Sequence, residues 1–74
     1  MRTYRNLSGN SGVVAYQIGK AHIKIKFTGG DVYTYNYEVT GIKEVERMKD
    51  LALKGKGLST YISEVVKTNY AFKG

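Results

Sequence analysis

His22 is the only histidine of the chain, and there is no cysteine. A nucleophilic triad or a proton relay would therefore have to run through that one imidazole, oriented by an acid. It stands between Ala21 and Ile23 with no acid beside it in sequence, which reads as a solvated strand histidine rather than a general base. Paired-carboxylate chemistry needs two acids converging in a cleft. Glu44, Glu46 and Asp50 instead fall on the polar side of a helical pattern, where they solvate a surface. One histidine, no thiol and no acidic loop of calcium-binding spacing supply no metal site and no cofactor site. The residues thus predict a protein that is not an enzyme.

Binding is better represented. Twelve Lys and Arg against six Asp and Glu give a formal charge of +6, a balance that favours anionic partners such as nucleic acid. The acids cancel their neighbours between Gly41 and Leu53, and Glu64 offsets Lys67. The surplus therefore collects at Arg2 and Arg5, at Lys24 and Lys26, and at Lys54 and Lys56. These six are the candidate nucleic-acid contacts. In Lys54-Gly55-Lys56-Gly57, two glycines could aim backbone N–H groups at a phosphate near a helix start, or they could simply end one helix and open the next. Ser8-Gly9-Asn10-Ser11-Gly12 could form an anion-binding nest, but it lacks the Lys-Ser/Thr ending of a phosphate loop and reads first as a turn. Seven tyrosines are present. Tyr33 and Tyr35 share a strand face and read as core, while Tyr4, Tyr61 and Tyr70 are candidates for stacking on bases.

The elements that must position these side chains follow from spacing. Seventy-four residues predict one domain with a core near the lower limit of self-sufficiency. Residues 1–12 read as an irregular N-terminal arm. Three β-branched and aromatic runs follow, Val13–Ile18, Ala21–Thr28 and Val32–Tyr37, separated by glycine-containing turns. They predict an antiparallel meander. Gly19-Lys20 has the chemistry of a two-residue turn pairing Tyr16 with Ile23 and Val14 with Ile25.

The second turn decides which side chains share a face. A two-residue Gly29-Gly30 turn would set Lys24 against Tyr35 and Lys26 against Tyr33, a basic aromatic platform. A three-residue Thr28-Gly29-Gly30 loop would set Ile25 against Tyr33 and Ile23 against Tyr35. The second is preferred, because it gathers Val14, Tyr16, Ile18, Ile23, Ile25, Phe27, Tyr33, Tyr35 and Tyr37 on one face. Gln17, His22, Lys24, Lys26, Thr34 and Asn36 then occupy the other.

After Thr40, an expected N-cap, Ile42, Val45, Met48, Leu51 and Ala52 have helical spacing up to a stop at Gly55. Leu58, Tyr61, Ile62, Val65 and Val66 predict a second helix to about Thr68. The expected architecture is α+β in the order β-β-β-α-α: a three-stranded antiparallel meander with two C-terminal helices packed on one face.

Phe27-Thr28-Gly29-Gly30, then Tyr33-Thr34-Tyr35, then a helix ending at a glycine corner and a closing Tyr70 together resemble the KTSC domain, over about Leu7 to Phe72. That short module occurs alone in bacterial proteins and at the C-terminus of some lysyl-tRNA synthetases. Its central Tyr-x-Tyr is matched by Tyr33 and Tyr35, and its glycines before the last helix by Gly55 and Gly57. Through that association the resemblance implies an RNA partner.

The sequence reading is a small binding domain for RNA or single-stranded nucleic acid. Its rival is a protein-interaction module or homodimer, anchored by Val13, Ala15 and Val32 on the outer sheet face. No stretch approaches the roughly 18 apolar residues of a membrane span, and residues 1–12 hold no apolar run of signal-peptide length. A cytoplasmic location with no membrane partner is expected.

Overall fold

The computed structural model describes residues 1–74. It is α+β, but its sheet has five strands rather than three. The strands are β1 (Arg2–Thr3), β2 (Val13–Ile18), β3 (His22–Phe27), β4 (Val32–Asn36) and β5 (Phe72–Lys73), in the order β1-β2-β3-β4-β5 and antiparallel throughout. Helix α1 (Ile42–Lys54) and the short α2 (Leu58–Tyr61) stand between β4 and β5 in the chain. No helix is long and apolar enough to cross a membrane.

The two additional strands correct the expected three-stranded meander at both ends. Arg2–Thr3 is a strand where an irregular arm was expected, and it pairs with Tyr16 and Ala15. Beyond it the Tyr4 N–H bonds the Val14 carbonyl at 2.9 Å. At the other edge Phe72–Lys73 pairs with β4, and the Val32 and Gly74 N–H groups each bond the other's carbonyl at 2.8 and 2.7 Å. Two-residue strands carry no alternation for a periodicity argument to find. Backbone bonds to an unfilled sheet edge hold them, and that need is independent of side-chain type.

In the β3–β4 hairpin, the three-residue loop brings Ile25 opposite Tyr33 and Ile23 opposite Tyr35. Gly30 supplies the turn with φ 94°. The β2–β3 pairing departs from expectation. Ile18, rather than Tyr16, lies opposite Ile23, and Tyr16, rather than Val14, lies opposite Ile25, so the turn falls at Gly19–His22, where the Gly19 N–H bonds the His22 carbonyl. A Cβ on Gly19 would overlap the His22 ring, which lies across the turn. The shift is by two residues, so each side chain keeps its face. A bulge between Val13 and Ala15 then exchanges the two valines. Val13, expected outside, is 2% exposed, and Val14, expected inside, is 43% exposed.

Tyr16, Ile23, Ile25 and Tyr35 cover the inner sheet face, and Val45, Met48, Leu51 and Ala52 of α1 pack on them with Leu58, Ile62 and Val66. Tyr4 completes this core. Each fully buried Leu, Ile, Val or Met contributes roughly 1.5–3 kcal/mol. Thr40 does not cap α1. Gly41 stands at the N-cap with φ 110°, and the buried Thr40 hydroxyl donates instead to the Asn69 carbonyl.

The expected second helix is α-helical only to Tyr61. Ile62–Val66 continues as a π-helical turn, closed by the Lys67 N–H on the Ile62 carbonyl. The wider turn brings Ile62 and Val66 into the core and turns Val65 outward, which the α-helical spacing of Leu58, Tyr61, Ile62, Val65 and Val66 does not distinguish.

Candidate nucleic-acid interface

Period two along β3 puts Lys24 and Lys26 on the face that carries no helix. In register, Lys24 lies between Gln17 and Thr34, and Lys26 lies between Ala15 and Val32. Thr34 is in turn opposite Phe72 of β5. One row across the open face therefore reads Gln17, Lys24, Thr34, Phe72. Its aromatic end is 68% exposed. His22 and Asn36 form the next row, and with Gln17, Lys24, Thr34, Phe72 and Glu38 they border a shallow hollow of about 730 Å³.

No strand residue on this face is acidic; Glu38 sits at its rim, after β4. The ion pairs of the molecule are Arg47–Asp50, Lys49–Glu46, Lys54–Asp50 and Lys73–Asp31. Lys24 and Lys26 are in none of them.

The other four candidates lie on the helix side. Arg2 of β1 lies opposite Tyr16 of β2, on the inward side of the sheet, and borders a small hollow with Leu53. The Arg5 guanidinium donates to the Leu53 carbonyl, and Arg5 packs so closely on Gly55 that a Cβ there would overlap it. Lys54 turns back to Asp50 at 3.3 Å. Arg2 and Lys56 have no acidic or carbonyl partner, but they stand apart from Lys24 and Lys26. The six residues thus form two groups on opposite layers rather than one patch.

The glycine corner is occupied by structure. Gly55, at φ 76°, caps α1 through its N–H on the Leu51 and Ala52 carbonyls, and its own carbonyl accepts the Leu7 N–H at 2.8 Å. Gly57, at φ 80°, opens α2. The buried Leu58 N–H is taken by the Tyr4 hydroxyl at 3.3 Å. The capping reading of Lys54-Gly55-Lys56-Gly57 fits this geometry. The Ser8–Gly12 segment is likewise internally bonded, with the Ser11 N–H on Asn6 Oδ1 at 3.1 Å and the Val13 N–H on Ser11 Oγ at 3.1 Å.

Of the tyrosines offered for stacking, Tyr4 is 3% exposed and belongs to the core, while Tyr61 and Tyr70 are half-buried against it. The exposed aromatic is Phe72, which sequence reasoning did not single out; a lone Phe after Tyr70-Ala71 carries no periodic signal. Tyr37 anchors one end of the hollow. Its hydroxyl donates to Glu46, whose carboxylate also pairs with Lys49 at 2.8 Å. The Lys49 ammonium reaches the Lys20 carbonyl at 3.1 Å, fixing the β2–β3 turn to α1. The Glu46 bond, with some burial, raises the Tyr37 phenol above its ordinary value.

No family model, curated protein or solved structure was found to match this sequence.

Proposed function

We propose that this chain is a small non-enzymatic binding domain that takes RNA or single-stranded nucleic acid, weakly and without sequence preference, on the open face of its sheet. The observation that carries the reading is the pair Lys24 and Lys26. Both project from the central strand into a face whose strands bear no carboxylate, Lys24 in line with the exposed Phe72 and Lys26 in the neighbouring row. The lysines contact phosphates and Phe72 offers a ring to one base. Stacking of that kind is worth about 1–3 kcal/mol per base. Two strand spacings of about 4.8 Å separate β3 from β5, a gap that the lysine side chain and a base with its phosphate span. Arg2, Arg5, Lys54 and Lys56 add charge from the far layer and do not form the contact surface.

The likeness to the KTSC module, at Tyr33-x-Tyr35 and Gly55-x-Gly57, supports an RNA partner and a cytoplasmic setting, and we hold family membership as part of the same proposal. A fluorescence anisotropy titration with random single-stranded RNA at two salt concentrations tests it. Affinity should fall with a log–log slope of about −0.7 per phosphate neutralised. A titration insensitive to salt rules the mechanism out.

A second reading has its own observation. Met1, Ile18 and Leu53 are exposed together around the hollow at the β1 edge, an apolar patch suited to another protein or a second copy. Val13 is buried and cannot serve as its anchor. A dimer in light scattering that persists at high salt and ignores RNA would favour this reading.

A further inference from the structure

On the helix side, away from the open face, a hollow of about 350 Å³ opens where β4 meets the π-helical turn. Its walls are Phe27, Tyr33, Tyr35, Tyr70 and Ile62, and Asp31, Lys67 and Thr68 stand at its rim. The rings form an edge-to-face series: Phe27 with Tyr33 at 5.3 Å, Tyr33 with Tyr70 at 4.7 Å, and Tyr35 with Tyr70 at 6.4 Å. Such a series defines a rigid apolar wall.

Three features exceed what packing requires. Tyr35 is 2% exposed, and its hydroxyl makes no internal hydrogen bond; yet no fully buried polar side-chain atom is left unpartnered. That hydroxyl therefore keeps some contact with solvent, and Tyr35 is one of the residues that line the hollow. Burial, with smaller contributions from the neighbouring Tyr33 and Tyr70 phenols, pushes the Tyr35 phenol up to about 12, so the Tyr35 hydroxyl stands ready as a neutral donor. Second, Lys67 ends the π turn at φ 53° and ψ −115°, a conformation costly for a residue with a side chain. Third, Lys67 lines the rim, and the Lys73 ammonium, paired with Asp31 at 4.0 Å, sits just outside it at 5.6 Å from the Tyr33 ring centroid, so two ammonium groups stand in or beside the hollow against the single carboxylate of Asp31.

We propose that this hollow is a binding site for a small planar ligand carrying an anionic group, its ring against the aromatic wall and its anion on the Tyr35 hydroxyl and the Lys67 and Lys73 ammonium groups. The charge at the rim is net positive and the polar groups inside are donors, which selects against the quaternary cations that aromatic cages otherwise attract. The site is independent of the open face, because Lys24 and Lys26 lie on the other side of the sheet.

The test is a chemical-shift titration of the full chain with phenyl phosphate, benzoate and inorganic phosphate. Saturable shifts at Tyr33, Lys67, Thr68 and Tyr70 with either aromatic probe are expected, and the tighter one identifies the head group. Inorganic phosphate alone should bind at least about tenfold more weakly, since it forgoes the ring contact. Tyr35→Phe removes only the hydroxyl, and should weaken the better probe about tenfold while leaving the melting temperature within a few degrees. Should that variant unfold, Lys67→Gln at the exposed rim, which removes one of the ammonium contacts, should weaken the better probe in the same way. The absence of saturable shifts with both aromatic probes overturns the site, as does equal affinity in Tyr35→Phe. Binding of phenyltrimethylammonium as tight as that of the anions, or loss of binding in the Lys24→Glu, Lys26→Glu variant, overturns it too.

Discussion

Lys24-Ile25-Lys26 and Lys54-Gly55-Lys56 have the same spacing and opposite fates. On β3 the two-residue period sends both ammonium groups to one face, where strands without acids leave them free. At the end of α1, a left-handed glycine turns the chain between the lysines. There Lys54 folds back on Asp50, the Gly55 N–H caps α1 and the Leu58 N–H is bound by Tyr4. A basic Lys-x-Lys pair is therefore a binding feature only on a backbone that aligns it and among neighbours that do not neutralise it.

Substitutions can break this contrast. The largest effect should come from Gly55→Ala. The position needs φ 76°, and the new Cβ would meet Arg5. The expected loss is about 1–3 kcal/mol of stability in urea unfolding, with RNA affinity unchanged under conditions where the variant is folded. On the open face, the double change Lys24→Glu, Lys26→Glu should lower single-stranded RNA affinity about tenfold or more in anisotropy, equivalent to about 1.4 kcal/mol, with little change in melting temperature. Lys54→Glu with Lys56→Glu should move affinity less than about threefold. If the corner pair has the larger effect on affinity, the contrast is reversed.

Tyr4→Phe should cost about 1 kcal/mol, because the buried Leu58 N–H loses its acceptor. The smallest effect is a pH dependence. The Lys49 hydrogen bond first, and the Tyr37 hydroxyl second, hold the Glu46 carboxyl below its ordinary value of 4.5. A carboxyl depressed in the folded state contributes stability above its unfolded value, and that contribution is lost as pH falls through the folded value. The urea midpoint should therefore drop between roughly pH 5 and pH 3, and Glu46→Gln should flatten that drop. A variant with an unchanged profile would remove the link between α1 and the β2–β3 turn.

Much of the fold was legible where side-chain alternation and turn chemistry act together. The β3–β4 register follows from Ile23, Ile25, Tyr33 and Tyr35 needing one face and from Gly30 supplying a positive φ. It failed where backbone needs decide. Arg2–Thr3 and Phe72–Lys73 are strands because sheet edges offer free N–H and C=O groups, and the helix after Leu58 widens into a π turn that apolar spacing does not distinguish from an α-helix. His22 is a strand residue, as read, opening β3 on the open face, but its packing across Gly19 was not foreseen.

For the site, charge counting found Lys24 and Lys26 together with four residues that the fold puts elsewhere, because composition does not say which layer a side chain joins. Phe72 was invisible for the same reason as β5. The Tyr35 hydroxyl was hidden behind a correct reading of that residue as core.

The central claim is that nucleic acid meets the open face and not the helix corner. Backbone amide shifts of the full chain during titration with a short oligouridylate test it most directly. The account predicts saturable shifts on β3, β4 and β5 around Lys24, Lys26, Thr34 and Phe72, with Gly55 to Leu58 unmoved. Shifts confined to Gly55 to Leu58, or no saturable shift anywhere at low salt, would contradict it.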